Sequence, residues 1–162
     1  MILAPHILAG TAILLNSPHP LIGIPLAIGA HYFLDSLPHA EYQALGSLQE
    51  LRRGEFRAAL PFLLKLTLDG GGGILLAVTW ASAFGHSPLW AFIGGVAGVL
   101  PDGMTVLLAT LFPGSTLLKK HDDFHNAVHS DKIKWPTPVV RVGLQILVAL
   151  LALAAIGLTA LG

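Results

Sequence analysis

Histidine and aspartate supply most of the ionisable side chains in the apolar parts of this chain, and two sets of histidines and aspartates along the chain have the spacing of metal ligands. His31 and Asp35 are four residues apart, and His121, His125 and His129 follow one another at the same spacing. Residues four apart lie on one face of a helix. Imidazole nitrogens and carboxylate oxygens are the usual ligands of zinc and of non-haem iron or manganese. The spacing therefore predicts a metal site built from helices.

A third residue follows the first set in the polar stretch, and its role there has more than one explanation. His39 follows Asp35 by a further four residues, but the intervening Pro38 disturbs the helical spacing. His39 could therefore cap or line the site instead of binding the metal. His31 and Asp35 could also be no more than a hydrogen-bonded pair on one helix.

Two isolated aspartates have structural alternatives as well. Asp102 follows Pro101 directly, where it could bind a metal or serve as the N-cap of a helix that restarts there. Asp69 precedes a run of four glycines, where it could cap a broken helix or pair with Lys65. For Asp69 the structural role is slightly favoured.

The composition of the chain indicates a membrane protein. It has 162 residues, of which 54% are hydrophobic and only 11% are charged, whereas an average soluble domain is about 25% charged. A membrane span needs about 20 apolar residues, so the length suits four or five spans in one domain. The net charge of zero argues against a general nucleic-acid binder. The absence of cysteine excludes disulfides and thiolate ligands.

Five apolar segments alternate with two polar stretches. The apolar segments cover about residues 1–15, 21–37, 58–84, 89–112 and 138–161, and the polar stretches cover 38–57 and 113–136. The first segment is of half length or tilted, Pro101 and Asp102 interrupt the fourth, and short helices are predicted over 47–57 and 117–129. We predict an all-α integral membrane bundle of four to five helices. It forms a single domain over residues 1–162, with a His/Asp-rich segment at about 113–136.

The basic residues predict which side of the membrane each polar stretch faces. The nine lysines and arginines are at positions 52, 53, 57, 65, 119, 120, 132, 134 and 141, and the turns at 16–20 and 85–88 have none. By the positive-inside rule, both polar stretches are cytoplasmic. This topology brings six candidate metal ligands to the cytoplasmic side of the inner membrane: His6, His31, Asp35, Asp102, His125 and His129. Their joint placement favours a metal site over the separate structural explanations.

Short motifs in the chain resemble two groups of metal-dependent hydrolases. The element from His31 to His39 (HYFLDSLPH) is similar to the His-x3-Asp element of zinc-dependent phospholipases C and P1-type nucleases. The elements at 100–102 (LPD) and 124–130 (FHNAVHS) resemble those of small inner-membrane proteins of bacteria and archaea that are classed as metal-dependent hydrolases. The chain departs from that membrane family in the residues after Asp102 and in the order of its motifs. The resemblance implies a helical metal site that hydrolyses a phosphoester.

These observations lead to a functional prediction. We expect a membrane-embedded zinc-dependent hydrolase with one or two ions, manganese or iron being the alternatives, because paired metals suit phosphoester hydrolysis. The predicted substrate is a phosphoester such as a lipid phosphate or phospholipid at the cytoplasmic interface. Candidates for the group that takes a proton from water are Asp123, Asp69 and His121. Candidates for binding an anionic head group are Arg52, Arg53, Lys119 and Lys120. The alternatives are a small metal or proton transporter, or a scaffold protein pinned by a metal.

Overall fold

The computed structural model describes residues 2–39, 55–112, 114–129 and 137–158. Of these residues 86% are helical, and none of them lies in a β-strand. The described residues form six helices: α1 (Leu3–Leu15), α2 (Pro20–Asp35), α3 (Phe56–Leu66, Thr67–Gly71 and Gly72–Ala83 in succession), α4 (Pro88–Leu111), α5 (Thr116–Val128) and α6 (Pro138–Leu158). The all-α prediction is confirmed.

Three of the described helices are long and apolar enough to cross a membrane. They are α3, α4 and α6, with 27 residues in the apolar part of α3, 24 in α4 and 21 in α6. α1 and α2 are apolar but have only 13 and 16 residues. At 1.5 Å per residue they are about 20 and 24 Å long, which is less than the roughly 30 Å thickness of the hydrocarbon core. Among the described residues, three helices could therefore span a membrane, and the predicted four to five spans are not confirmed.

The short helix α1 lies at the centre of the bundle, and it packs against α2, α3, α4 and α6. Ile7, Leu8 and Ala12 are buried in a core whose other members are mostly alanines from α3, α4 and α6. Large side chains on those helices point outward instead, as Leu107 and Leu150 do. This distribution is typical of a membrane bundle, where small residues allow close helix contact and lipid covers the large apolar side chains.

Glycines let the backbones of α1 and α4 touch. A Cβ built at Gly10 would lie 2.4 Å from the carbonyl oxygen of Gly94, and one built at Gly98 would lie 2.2 Å from the carbonyl oxygen of His6. Neither position can therefore hold a side chain without moving the helices apart. Gly94 and Gly98 therefore give α4 a packing face of small residues toward α1. It fixes the distance between α1 and the middle of α4.

A π-helical turn, Thr67–Gly71, interrupts α3 at the start of the glycine run. The Asp69 carboxylate accepts hydrogen bonds from the main-chain N–H groups of Leu3 and Ala4, which are at the first turn of α1. These N–H groups have no partner within their own helix. Asp69 therefore caps a helix, but it caps α1 across the bundle instead of its own helix.

The structure corrects the expectations for Pro101 and Asp102. Pro101 does not interrupt α4, which runs without a break from Pro88 to Leu111, so Asp102 is not an N-cap. Proline is tolerated within membrane helices because neighbouring groups can satisfy the backbone it disturbs.

The predicted helix over 117–129 is observed as Thr116–Val128. The predicted helix over 47–57 lies mostly outside the described residues.

Candidate metal centre

Three helices and one loop bring histidines and aspartates together at one end of the bundle. His31 and Asp35 lie on the last turns of α2, and His39 follows four residues after its end. Asp102 comes from the middle of α4. α5 crosses this end of the bundle and contributes His125, with His129 directly after its last residue. We call these residues, together with His6 of α1, the His/Asp cluster.

A first group of four ligand atoms could hold a metal ion. His31, Asp35, Asp102 and His125 each offer one atom, and these atoms lie within 4.8 Å of one another. The Nε2 atoms of His31 and His125 are 3.1 and 2.8 Å from Oδ2 of Asp35. The same two nitrogens are 3.5 and 3.9 Å from Oδ1 of Asp102. All four members of this group were predicted as ligands from the sequence.

A second group could hold a metal ion beside the first, and the two groups share Asp35. It consists of Asp35, His39 and His129. Nε2 of His39 is 3.8 Å from Oδ1 of Asp35, and Nε2 of His129 is 4.0 Å from Oδ2. His39 was not predicted as a ligand, although its four-residue spacing from Asp35 was the available signal.

The hydrogen bond of His31 leaves its second nitrogen directed into the first group. Nδ1 of His31 is 2.9 Å from the carbonyl oxygen of Gly98, so Nδ1 carries the proton and donates it. Nε2 is buried and makes no hydrogen bond, although it faces the carboxylates of Asp35 and Asp102. A metal-binding histidine typically donates its other N–H to a carbonyl or carboxylate in this manner. A cation between Nε2 and the two carboxylates would give this nitrogen a partner.

His39 is oriented as His31 is, with Nδ1 bound to a main-chain carbonyl and Nε2 directed toward a carboxylate. Its Nδ1 donates to the carbonyl oxygen of Leu37 across 2.6 Å, so Nε2 is the nitrogen that faces Asp35. The side chain is buried although it lies beyond the end of α2. Pro38 therefore turns the chain in a way that brings His39 to the cluster.

His6 is a member of the cluster but belongs to neither ligand group. Its Nε2 lies 3.1 Å from Oδ1 of Asp35, and because a carboxylate only accepts, Nε2 is the donor. Its ring also packs on the ring of His31 with centroids 4.2 Å apart. In this geometry His6 orients the carboxylate of Asp35 from within the bundle. The sequence placed His6 correctly at this end of the bundle but predicted a direct ligand.

The cluster is closed toward the bundle and open on one side. The side chains of His31 and Asp35 are 0% and 2% exposed, whereas that of Asp102 is 32% exposed. His125 and His129 lie between these values. A water molecule or a substrate can therefore reach the cluster from the side of Asp102 and α5.

Aromatic contacts hold α5 against α2 next to the cluster. The ring of Tyr32 meets the rings of Phe124 and His125 edge to face, with centroids 4.9 and 5.7 Å apart. Edge-to-face pairs are favourable because the positive edge of one ring meets the negative face of the other. These contacts position His125 over the end of α2.

The three residues predicted as proton acceptors have different surroundings. Asp69 caps α1, and Asp123 is exposed on α5, where Lys119 donates to it across 3.1 Å. His121 lies beside the cluster, with its ring centroid 5.8 Å from that of His125. Its Nε2 is 3.1 Å from the carbonyl oxygen of Pro101, to which it can donate. Of the three, only His121 has a contact with a member of the cluster.

The residues predicted to bind a head group are only partly described. Lys119 and Lys120 are exposed on α5, on the helix that carries His125. Arg52 and Arg53 lie outside the described residues. The two described candidates, Lys119 and Lys120, therefore lie on the helix that borders the open side of the cluster.

The donor set fits a metal of the kind that the sequence predicted. It consists of imidazole nitrogens and carboxylate oxygens, which suit zinc as well as manganese or iron, and it does not identify the metal. No family model, no curated protein and no solved structure matches this chain. The function is therefore inferred from the site.

Proposed function

We propose that this protein is a membrane-embedded, metal-dependent hydrolase of phosphoesters, with a lipid phosphate or a phospholipid as the substrate. The observation that supports this proposal best is the shared carboxylate of Asp35, which belongs to two adjacent ligand groups. Two metals that share ligands are a common arrangement for in-line displacement at phosphorus. The resemblance of the element from His31 to His39 to zinc-dependent phospholipases C supports the same reaction class.

Each ligand group would hold one zinc ion, or manganese or iron in its place. His31, Asp102 and His125 would contribute to the first site and His39 and His129 to the second, and Asp35 would be available to both. Bound metal supplies a Lewis acid for the phosphoryl oxygens and lowers the pKa of water toward 7. His6 would keep Asp35 in place, since it donates to Oδ1.

His121 is the proposed proton acceptor. Its Nε2 is close to the carbonyl oxygen of Pro101 and to Oγ1 of Thr105, at 3.1 and 3.0 Å. Donation from Nε2 to the carbonyl leaves Nδ1 as the nitrogen that can take a proton. Its ring stands beside that of His125, at the open side of the cluster. A histidine that one fixed hydrogen bond holds in a single tautomer is a common general base.

The cytoplasmic face of the inner membrane is the proposed location of the site. The lysines and arginines of the chain support it, because they cluster in the two polar stretches and are missing from the short turns. Lys119 and Lys120 would then attract the anionic head group, with Arg52 and Arg53 as further candidates. Lys119 would exchange its contact with Asp123 for one with the substrate.

A transport pathway is the less favoured alternative. Among the described residues, the fully buried ionisable side chains are His6, His31, Asp35 and His39. All four belong to the His/Asp cluster at one end of the bundle. A pathway for protons or metal ions would need such groups at several depths. The observed arrangement is that of a one-sided site.

The proposal is tested by an assay of the zinc-loaded protein in detergent. Phosphatidic acid, a phosphatidylglycerol and two nitrophenyl phosphate esters, a monoester and a diester, would be offered as substrates. We expect hydrolysis of at least one lipid by the wild type, and a loss of roughly 100-fold or more for H121A with its metal retained. D122N changes a carboxylate outside the cluster and should keep full activity. A metal-loaded wild type that hydrolyses none of these esters would overturn the proposal.

A further inference from the structure

We propose that an apolar groove beside Asp102 binds the hydrocarbon chain of the lipid substrate. The inference rests on the proposed function and adds a binding site for the part of the substrate that does not react. The groove lies between the first residue of α1, the middle of α3 and the second half of α4, and its volume is about 500 Å³. This is within the range of roughly 300–1,000 Å³ for ligand pockets in proteins.

The walls of the groove are almost entirely apolar. Leu3, Leu66 and Val99 line it at one end, and Val106, Leu107 and Leu111 continue along α4. Among the described lining residues only Asp102 is charged, and Thr110 is the other polar side chain. Such a wall offers few hydrogen-bonding partners to a peptide backbone, whose buried polar groups would each cost several kcal/mol. A hydrocarbon chain has no such groups and suits the groove.

Asp102 connects the groove to the His/Asp cluster. Its Oδ1 atom is 3.5 Å from Nε2 of His31, and the same residue lines the groove. A chain that lies along α4 in the groove therefore places the group attached to it next to the ligand atoms. This continuity is what a lipid phosphoester needs, since its reactive phosphate is at the end of its hydrocarbon part.

The groove opens toward the lipid. It lies on α4, which is long and apolar enough to cross a membrane. Leu107 and Leu111, which line the groove, are 54% and 60% exposed. In a bilayer these side chains face hydrocarbon, so a lipid can enter the groove sideways without leaving the membrane.

The cap on α1 shapes one wall of the groove. Asp69 binds the main-chain N–H groups of Leu3 and Ala4, which holds the start of α1 against the π-turn of α3. Leu66 directly precedes this turn, and Leu3 is the capped residue. π-turns frequently mark functional sites in helices. Here the turn and the cap together position the leucines that line the groove.

A larger side chain in place of Gly103 would fill the groove without disturbing the packing of the helices. It lines the groove, and a Cβ built on it meets no atom within 4 Å. A phenylalanine at this position would occupy the space in which the chain is proposed to lie. Gly143 of α6 is a matched control, because its Cβ is equally free and it does not line the groove.

The test uses a phosphatidic acid with a photoreactive diazirine in one acyl chain and the full-length protein in detergent micelles. After irradiation, peptide mass spectrometry locates the label. We expect labelling of the peptides that contain residues 99–111, roughly tenfold weaker in G103F and unchanged in G143F, a ratio that corresponds to about 1.4 kcal/mol. Labelling that is distributed over all lipid-facing helices, or that is equal in G103F and the wild type, would overturn the inference.

A second readout separates this inference from the proposed function. If G103F loses hydrolysis of a long-chain lipid phosphate but retains that of a short-chain analogue, both proposals are supported. If the wild type is labelled in the groove but hydrolyses neither ester, lipid binding in the groove is supported and the proposed enzymatic function is overturned. If the wild type forms a dimer that G103F abolishes, a second copy of the chain fills the groove and the lipid proposal is overturned.

Discussion

Nδ1 of His31 donates to the main-chain carbonyl of Gly98 across 2.9 Å, so a ligand of the candidate metal centre depends on a packing residue of the bundle. Gly98 is also where α4 touches α1, since a Cβ there would lie 2.2 Å from the carbonyl oxygen of His6. The same close approach positions His6 against Asp35. The packing of α1 against α4 therefore also determines how His31 and His6 are oriented.

We predict that G98A weakens both the fold and the metal site. The added methyl group has no space between the two backbones, and overpacking of this kind costs about 1–3 kcal/mol of unfolding free energy. Loss of the orienting hydrogen bond lowers metal affinity roughly 10–100-fold. Thermal unfolding in detergent and a zinc titration measure the two effects.

The matched control for this prediction is G143A, where a Cβ meets no atom. Its unfolding free energy should be unchanged or higher by about 0.4–1 kcal/mol, because alanine restricts the unfolded chain. If G98A bound zinc as tightly as the wild type, the proposed role of Gly98 in orienting His31 would be wrong.

A substitution of His39 tests the second ligand group. H39A removes a ligand that only this group contains, so the protein should retain the metal of the first group and lose the other. Elemental analysis should give about one ion per chain where the wild type gives about two. A wild type with two ions whose content is the same in H39A would contradict the assignment of His39.

Removal of the metal should destabilise the bundle. A ligand that binds only the folded state at 100 times its Kd raises the unfolding free energy by about 2.7 kcal/mol. We expect a strong chelator to lower the Tm of the wild type and added zinc to restore it. D122N, which lies outside the cluster, should respond as the wild type does. A Tm that is indifferent to both treatments would show that metal does not stabilise the fold.

The cap formed by Asp69 gives a further prediction. D69A leaves the N–H groups of Leu3 and Ala4 without a carboxylate, and loss of a helix cap costs about 0.5–2 kcal/mol. Thermal unfolding should therefore show a lower stability, whereas elemental analysis should show an unchanged metal content. If the stability were unchanged and the hydrolytic activity lost, Asp69 would be a catalytic group, as the sequence had also suggested.

Local patterns in the sequence were sufficient to predict the helices and the first ligand group. The i, i+4 spacing of His31 and Asp35 fixes their common face, because the helix that carries them is regular. α5 was predicted for the same reason, from a polar segment with helical spacing. These features depend on residues that are close in the sequence.

Features that depend on distant residues were not predictable. Asp69 caps a helix whose first residues are 66 and 65 positions away, and no local pattern reveals that partner. The role of His39 stayed open because Pro38 disturbs the helical spacing, yet the turn after α2 brings it to Asp35. The direct role predicted for His6 differs from the observed hydrogen bond, because the depth of α1 in the bundle depends on glycines in α4.

The most direct test of the account is the metal content of the purified protein and of D35N. Asp35 belongs to both ligand groups, so its loss should remove all bound metal. H125A is a second variant, which changes a ligand on α5. Circular dichroism would confirm that D35N and H125A remain helical. H19N, outside the cluster, is the control. We predict one or two ions of zinc, manganese or iron per chain in the wild type and H19N, none in D35N and fewer in H125A. A wild type without metal after reconstitution, or a folded D35N with the full content, would contradict the account.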